Sequence, residues 1–412
     1  MSFFKTSLAI LIIGTCFAVK SSNAQTAALV HTIDSILKSQ VNAGKIPGAV
    51  VEVKIGNQAI VKQAYGYAQK YDYEHHVLAR PDTMTVGTLF DIASLTKVVG
   101  TTTSMMLLVD RGLVHLDDPV GKYIKAFASP DKASITIRHL LTHTAGLYEW
   151  YPMYYRASSK EETFKLIGEL PLAFPVGSGR HYSDLGFTVL GEIIEKVSGM
   201  PLDQFEEQNI FVPLGMSHTM YNPLTKGKGY PIAATSFGNP YEKRMVYDPA
   251  FGYQFKEIRH NQWNGWRNYI VRGEVNDGNA WYAEKGVAGA TGLFSTVDDL
   301  QKLVDMLIHH GRIGSEQFIS EQTIQTFLTK DQFKNGLGWM MDPQNPVIAG
   351  GPTGSFGHTG FTGTSIAVVP SRNISIILLI NRQHEGLIDN KAYFNVSPLR
   401  QEIFKAVLQS RE

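Results

Sequence analysis

The chain has one cysteine in 412 residues, and that residue, Cys16, lies near its N-terminus. Disulfides, a thiolate nucleophile and a cysteine-ligated zinc are therefore excluded from the body of the protein. A charge excess is also lacking, since 38 Lys and Arg stand against 37 Asp and Glu. No field of either sign is available to gather nucleic acid or an acidic membrane surface. The sequence contains no H-E-x-x-H pair, no G-x-S-x-G elbow and no phosphate-binding loop. His75-His76 and His309-His310 lack the i, i+4 spacing of a ligand pair, so no metal and no other cofactor is expected.

Long apolar runs are missing too. Lys5 precedes the run Leu8 to Val19, and small residues lead to Ser22-Asn23-Ala24 before Gln25. A bilayer core takes roughly 20 apolar residues, so a stable membrane span is not expected. The pattern is that of a signal peptide over residues 1–24, with export to the periplasm or beyond. Cleavage as a lipoprotein at Cys16 is disfavoured by Thr15 before it. Cleavage after Ala24 would leave a mature chain without any thiol.

The rest reads as one domain, residues 25–412, with 43% hydrophobic residues to fill a large core. Val30, Ile33, Ile36, Leu37 and Val41 fall at helical spacing, and Gly44 and Pro47 supply the stop. Ala49 to Ile55 and Ala59 to Tyr67 are β-rich runs around Gly56-Asn57, a hairpin signal. Near the other end, Ser365 to Val369 and Ile374 to Ile380 flank Pro370-Ser371-Arg372-Asn373, and a helix is expected from Leu399 to Leu408. Both chain ends thus feed one antiparallel sheet flanked by helices, an α+β sandwich. Residues 25–112 and 281–412 form this α/β part, and 113–280 read as a mostly helical insertion.

The S-x-x-K spacing places a hydroxyl and an amine one helical turn apart, where the amine can take the hydroxyl proton during attack on a carbonyl. It occurs at Ser2/Lys5, Ser35/Lys38, Ser94/Lys97 and Ser129/Lys132. Only Ser94/Lys97 opens a buried helix, which Asp91 or Ser94 is expected to cap. A helix start offers free N–H groups and positive potential to an oxyanion, and burial would ease deprotonation of Lys97. Tyr182-Ser183-Asp184 precedes the helix Leu185 to Val197, and His358-Thr359-Gly360 introduces the C-terminal strand pair.

In this order and at these separations, the three motifs resemble those of class C β-lactamases and related penicillin-binding serine hydrolases. The likeness extends through Leu140-Leu141-Thr142-His143-Thr144-Ala145-Gly146-Leu147 and Gly289-Ala290-Thr291-Gly292-Leu293-Phe294-Ser295-Thr296. It implies a β-lactamase/transpeptidase-like fold, acylation of Ser94, and proton transfer by Lys97 and Tyr182. It also implies an oxyanion hole from the backbone N–H groups of Ser94 and Phe361. Substrate would meet Asp184, His358, Thr359, Gly360 and the loop carrying Glu149 and Trp150.

Two departures bear on substrate. Asp184 stands where β-lactamases usually have Asn; it accepts from Lys97, holds it protonated and cannot donate an amide N–H. His358 replaces the usual Lys as a weaker, pH-dependent partner for a carboxylate. Both argue against a dedicated antibiotic-destroying enzyme. The aromatic loop Glu149 to Tyr155 suits either sugar stacking or surface packing, and Trp263, Trp266 and Trp281 favour packing. The stretch Arg272 to Trp281 resembles cell-wall-recycling N-acetylmuramyl-L-alanine amidases and D-alanyl-D-alanine carboxypeptidase-like proteins. The expected substrate is a small molecule or cell-wall fragment cleaved at an amide, with carboxylesterase and then β-lactamase as alternatives. An acylated sensor is the non-enzyme rival, set against by the missing anchor and by Tyr182, which supplies a means of deacylation. Oligomeric state is not encoded in any of these patterns.

Overall fold

The computed structural model describes residues 6–227, 229–389 and 391–410, with side chains from residue 24 onward. Lys5 of the expected leader, and the side chains of its apolar run including Cys16, lie outside the described residues. The main sheet has strands β1 (Gly48–Ile55), β2 (Gln58–Tyr71), β3 (Val77–Thr83), β4 (Phe356–Thr359), β5 (Ser365–Val369) and β6 (Ile374–Ile380). Their order is β4-β5-β6-β1-β2-β3, with every pair antiparallel. The central seam joins the two chain ends, with Ala49 opposite Ile380 and Ile55 opposite Ile374.

The helices that bear on the site are α1 (Thr6–Asn42), α2 (Thr103–Asp110), α3 (Asp184–Ser198), α4 (Gly278–Ala283), α5 (Val297–Ile308) and α6 (Ser397–Gln409). Strand side chains alternate between faces, so β6 divides its load. Ile374, Ile376, Leu378 and Ile380 pack with Leu29, Ile33 and Leu37 of α1 and with Ile403, Phe404 and Val407 of α6. Ile377 and Leu379 face the larger core, which includes Leu300, Leu303 and Val304 of α5 and Phe187, Leu190 and Ile194 of α3. Among the described residues, no helix is long and apolar enough to cross a membrane.

The Gly56-Asn57 turn forms as its sequence suggests, with Gly56 at φ 57°, but β2 runs on to Tyr71. Strand β3 has no signature in the sequence because it is an exposed edge, with no alternating apolar face and with Pro81 inside it. An edge strand tolerates proline, since no ladder partner needs that N–H. Region 113–280 was expected to be mostly helical, yet it also contributes Met220–Tyr221, which pairs with Leu293–Ser295, and the pair Ala234–Phe237 with Ile270–Arg272.

Helix α3 crosses the segment before Leu293 at a point of backbone contact. A Cβ added at Gly289 would lie 2.2 Å from the Phe187 carbonyl oxygen and 2.9 Å from the Gly191 nitrogen. Backbone on both sides leaves nothing to swing away. Gly289→Ala is therefore expected to cost about 1–3 kcal/mol, the range of overpacked cores, and to lower acyl turnover with it, because the next carbonyl, Ala290, holds Lys97. Denaturant midpoints and turnover of the variant check this, and unchanged values for both would show that the crossing is loose.

Candidate active site

Ser94 sits in the short 3-10 turn Ala93–Leu95, after a strained step: Ala93 has φ 45°, where a side chain is disfavoured. Asp91 secures that step. One of its carboxylate oxygens accepts the Ala93 N–H at 2.8 Å and the other accepts the Asn276 N–H at 2.7 Å. No side chain caps the turn, so Asp91 braces its entry instead of capping a regular helix. Lys97 then opens a π-helical stretch, Lys97–Thr102, which runs into α2. Wide turns of this kind recur at functional sites.

The Lys97 side chain has no exposed surface. Its ammonium lies 3.1 Å from Ser94 Oγ, 2.8 Å from the Ala290 carbonyl and 2.6 Å from Asp184 Oδ1. Burial alone would favour the neutral amine, but the Asp184 carboxylate and the Tyr182 phenol together outweigh it and hold Lys97 above the ordinary lysine value. Burial does favour deprotonation, and Asp184 outweighs it in the direction that the second motif suggested. Burial also raises the Tyr182 phenol above 10.0, against the downward pull of Lys97 and of hydrogen bonding from Ser94. At neutral pH the resting pair is thus an ammonium and a phenol.

Tyr182 is placed by its neighbours. Ser183 caps α3, accepting the Gly186 N–H at 3.2 Å and donating to the Tyr148 carbonyl at 2.6 Å. His143, at φ 58°, accepts the His181 N–H on its carbonyl at 2.8 Å and the Ser183 N–H on Nδ1 at 3.1 Å. Its ring lies 4.5 Å from that of Tyr182 and 5.0 Å from that of Phe187. Burial and the cations Arg180 and Lys97 hold His143 well below the usual histidine value, so it braces Tyr182 as a neutral ring. Sequence reasoning included His143 only within a longer likeness; its position just before Thr144-Ala145-Gly146 was the available signal.

The third motif ends β4 and turns back at Phe361, whose side chain is 41% exposed. Thr362 Oγ1 donates to the Asp91 carbonyl at 2.7 Å, and Thr364 Oγ1 to the Ile92 carbonyl at 3.1 Å. Arg382 donates from Nε and Nη2 to the Phe361 carbonyl at 2.9 and 2.6 Å. A Cβ at Gly360 would lie 2.4 Å from the Ile92 carbonyl oxygen, so only glycine permits this approach. The turns that carry the Ser94 and Phe361 N–H groups are therefore tied together, which suits a pair of oxyanion donors.

His358 does not fit the role expected of it. It is 1% exposed, its Nδ1 pairs with the Thr359 carbonyl at 2.9 Å, and burial, followed by Lys97, pushes it down to about 3. A ring kept neutral there carries no charge to offer a carboxylate.

A cleft of about 270 Å³ opens on Ser94, Tyr182 and Asp184, with Glu149, Trp150, Asn276, Asp277 and Phe361 in its walls. Glu149 accepts the Tyr253 hydroxyl at 2.9 Å, and Trp150 meets the Tyr253 ring edge-on at 5.6 Å. Tyr151 and Tyr154 are buried, and Trp263 and Trp266 pack on Tyr154 at 4.6 and 5.8 Å. Most of the aromatic loop is thus packing, and only its first two residues reach the cleft. Among the described residues, no group of three or more His, Cys, Asp or Glu is placed to hold a metal ion.

A family model described as "Beta-lactamase" matches residues 33–397. A protein of Escherichia coli O157:H7 named "Putative D-alanyl-D-alanine carboxypeptidase" is 34% identical over 382 residues, covering 87% of this chain and 83% of its own. A Salmonella typhimurium protein of the same name is 33% identical over 389 residues, covering 89% and 85%. Among solved structures, EstCE1, "a hydrolase with promiscuous acyltransferase activity", superposes with a TM-score of 0.67 at 22% identity, over 93% of this chain and 99% of its own. The octameric penicillin-binding protein homologue from Pyrococcus abyssi gives 0.67 at 23%, over 93% and 78%.

The proton inventory makes a prediction. Both members of the pair are protonated at rest, so the active form is one proton short and acyl turnover by the wild type is expected to climb through the alkaline range. Asp184→Asn removes the strongest upward influence on Lys97 and one that also raises Tyr182. The rising limb of kcat/KM against pH should then move to lower pH by about 1–3 units, the usual effect of one adjacent opposite charge. A limb that stays in place would separate Asp184 from the working proton.

Proposed function

The chain belongs to the β-lactamase family of serine hydrolases, and from that premise we propose that it hydrolyses an amide in peptidoglycan-derived peptides through a Ser94 acyl-enzyme. The first candidate is removal of a C-terminal D-amino acid, and the second is cleavage of the muramyl–L-alanine amide. The observation that carries this reading is the convergence of Ser94 Oγ, Lys97 Nζ and Asp184 Oδ1 within 3.1 Å and 2.6 Å contacts, with the Tyr182 phenol beside them. The names of relatives at 33–34% identity favour the carboxypeptidase among the amide cleavages.

In the proposed reaction the Tyr182–Lys97 pair first gives one proton to solvent, leaving the Tyr182 phenolate beside the Lys97 ammonium. Ser94 Oγ attacks the carbonyl carbon as its own proton passes to that phenolate. The backbone N–H groups of Ser94 and Phe361 receive the oxyanion. Collapse breaks the C–N bond, and the departing nitrogen takes the proton from Tyr182, the group that faces it. Water then attacks the acyl ester, giving its proton to the Tyr182 phenolate, and Ser94 Oγ takes that proton from the phenol as the acid leaves. Tyr182 is the relay, since Asp184 keeps Lys97 charged for most of the cycle.

The test is a mass-spectrometric product assay with muropeptides, a short-chain aryl ester and a cephalosporin offered side by side. Release of free D-alanine is expected, and Ser94→Ala should lower turnover by at least about a thousandfold with the fold intact, as loss of an acyl nucleophile does. Release of muramyl sugar would move the cleavage to the other amide. Hydrolysis of the ester alone would make the protein a carboxylesterase, and full activity in Ser94→Ala would defeat the mechanism.

A further inference from the structure

The Phe361 N–H donates to no acceptor among the described residues, and Phe361 lines the cleft that opens on Ser94. A backbone N–H left unpaired in a cleft wall is free to serve a ligand. The peptide that carries it is held on its other side, where the Gly360 carbonyl accepts the Gly363 N–H at 3.1 Å. Gly360 to Gly363 is thus a tight turn. Phe361 stands at its tip with an exposed side chain, so packing does little to hold it there.

Arg382 supplies what packing does not. Its Nε and Nη2 both donate to the Phe361 carbonyl, at 2.9 and 2.6 Å, and its Nη1 donates to the Phe394 carbonyl at 3.1 Å. The guanidinium lies 5.2 Å from the centre of the Phe361 ring and 5.9 Å from that of Tyr393. No carboxylate among the described residues pairs with it, and burial lowers it from the ordinary arginine value. A cation desolvated without an anion is costly, so these backbone contacts must offset that cost. The other end of the tether is fixed as well. Asn381, just past β6, donates from Nδ2 to the Tyr67 and Ala68 carbonyls of β2 at 3.2 and 3.1 Å. A Cβ at Gly363 would lie 2.4 Å from the Ile380 carbonyl oxygen, so the turn rests directly on the same strand end.

We propose that Arg382 is a positioning residue that holds the Phe361 N–H where it receives the oxyanion. The guanidinium fixes the carbonyl of Phe361, and the Gly363 N–H fixes that of Gly360. The N–H between them then has one direction, since each peptide unit is planar. Arg382 is not among the residues that line the cleft, so it acts through the backbone of Phe361. This inference rests on the acyl-enzyme reading above and deepens it, because an oxyanion donor acts when the carbonyl becomes tetrahedral.

The experiment compares wild type, Arg382→Gln and Arg382→Lys in hydrolysis of a neutral aryl ester and in inhibition by phenylboronic acid. The boron accepts the Ser94 oxygen as its proton leaves, giving a tetrahedral anion with an oxygen at the oxyanion position. Its inhibition constant, read from the activity that remains, does not depend on how much of a variant is folded, so a merely structural role would leave it unmoved. In Arg382→Gln that constant should rise about tenfold, with a similar fall in kcat/KM for the ester, a milder effect than outright loss of an oxyanion donor. The rising limb of the pH profile should stay in place, because Lys97 and Tyr182 are untouched. Arg382→Lys, with one donor for the carbonyl instead of two, should fall between. An unchanged boronate constant in both variants overturns the assignment, however far turnover drops, and a displaced pH limb moves the effect to the Lys97–Tyr182 pair and overturns it too. A wild type that ignores the boronate and keeps its activity as Ser94→Ala would instead sink the acyl-enzyme reading, and this inference with it.

Discussion

The buried contact between Lys97 and Asp184 is the constraint from which the site is built. The Lys97 ammonium donates to a hydroxyl and to a backbone carbonyl, and its charge is paired with a carboxylate. Leaving the charge unmet in a fully buried position would cost several kcal/mol. The three partners come from the turn of Ser94, from the segment that crosses α3 and from the first residue of α3 itself. Satisfying one cation therefore fixes three distant stretches of chain. The close glycine contact at Gly289, the braced turn at Ala93 and the histidine packed on Tyr182 all serve the same placement.

The electrostatics of the cleft follow from this pair. Asp184 neutralises Lys97 but adds its field to a wall already acidic. Burial first and Asp184 second raise Asp277 to about 6, and burial raises Glu242 to about 8. At neutral pH a Glu242 held at about 8 keeps its proton, so the wall presents a donor as well as acceptors. Substitution of Asn by Asp in the second motif thus acts twice, on the proton that Lys97 keeps and on the ligand that the cavity accepts.

Much of this was legible in the chain. The β5–β6 hairpin, the Gly56-Asn57 turn and helix α3 follow from alternation, turn residues and helical spacing, which are local. The grouping of Ser94, Lys97, Tyr182 and Asp184 was legible because motif order carries spatial information that no single motif has. What was hidden depends on neighbours remote in sequence. His358 looks like a titrating group in the sequence, and only its burial behind Tyr182 silences it. Strand β3 was hidden for a simpler reason, since an exposed edge needs no apolar pattern.

The seam between β1 and β6 has a consequence for when this protein becomes reactive. Ala49 cannot meet Ile380 until almost the whole chain is present, and closing so long a loop is a slow, entropically opposed step. The turn at Phe361 lies on the late side of that closure, whereas Ser94 lies on the early side. During synthesis the chain therefore carries its serine for a long interval without the surroundings that make it a nucleophile. Topology here acts as a timer, which keeps the serine unactivated until the molecule around it is complete.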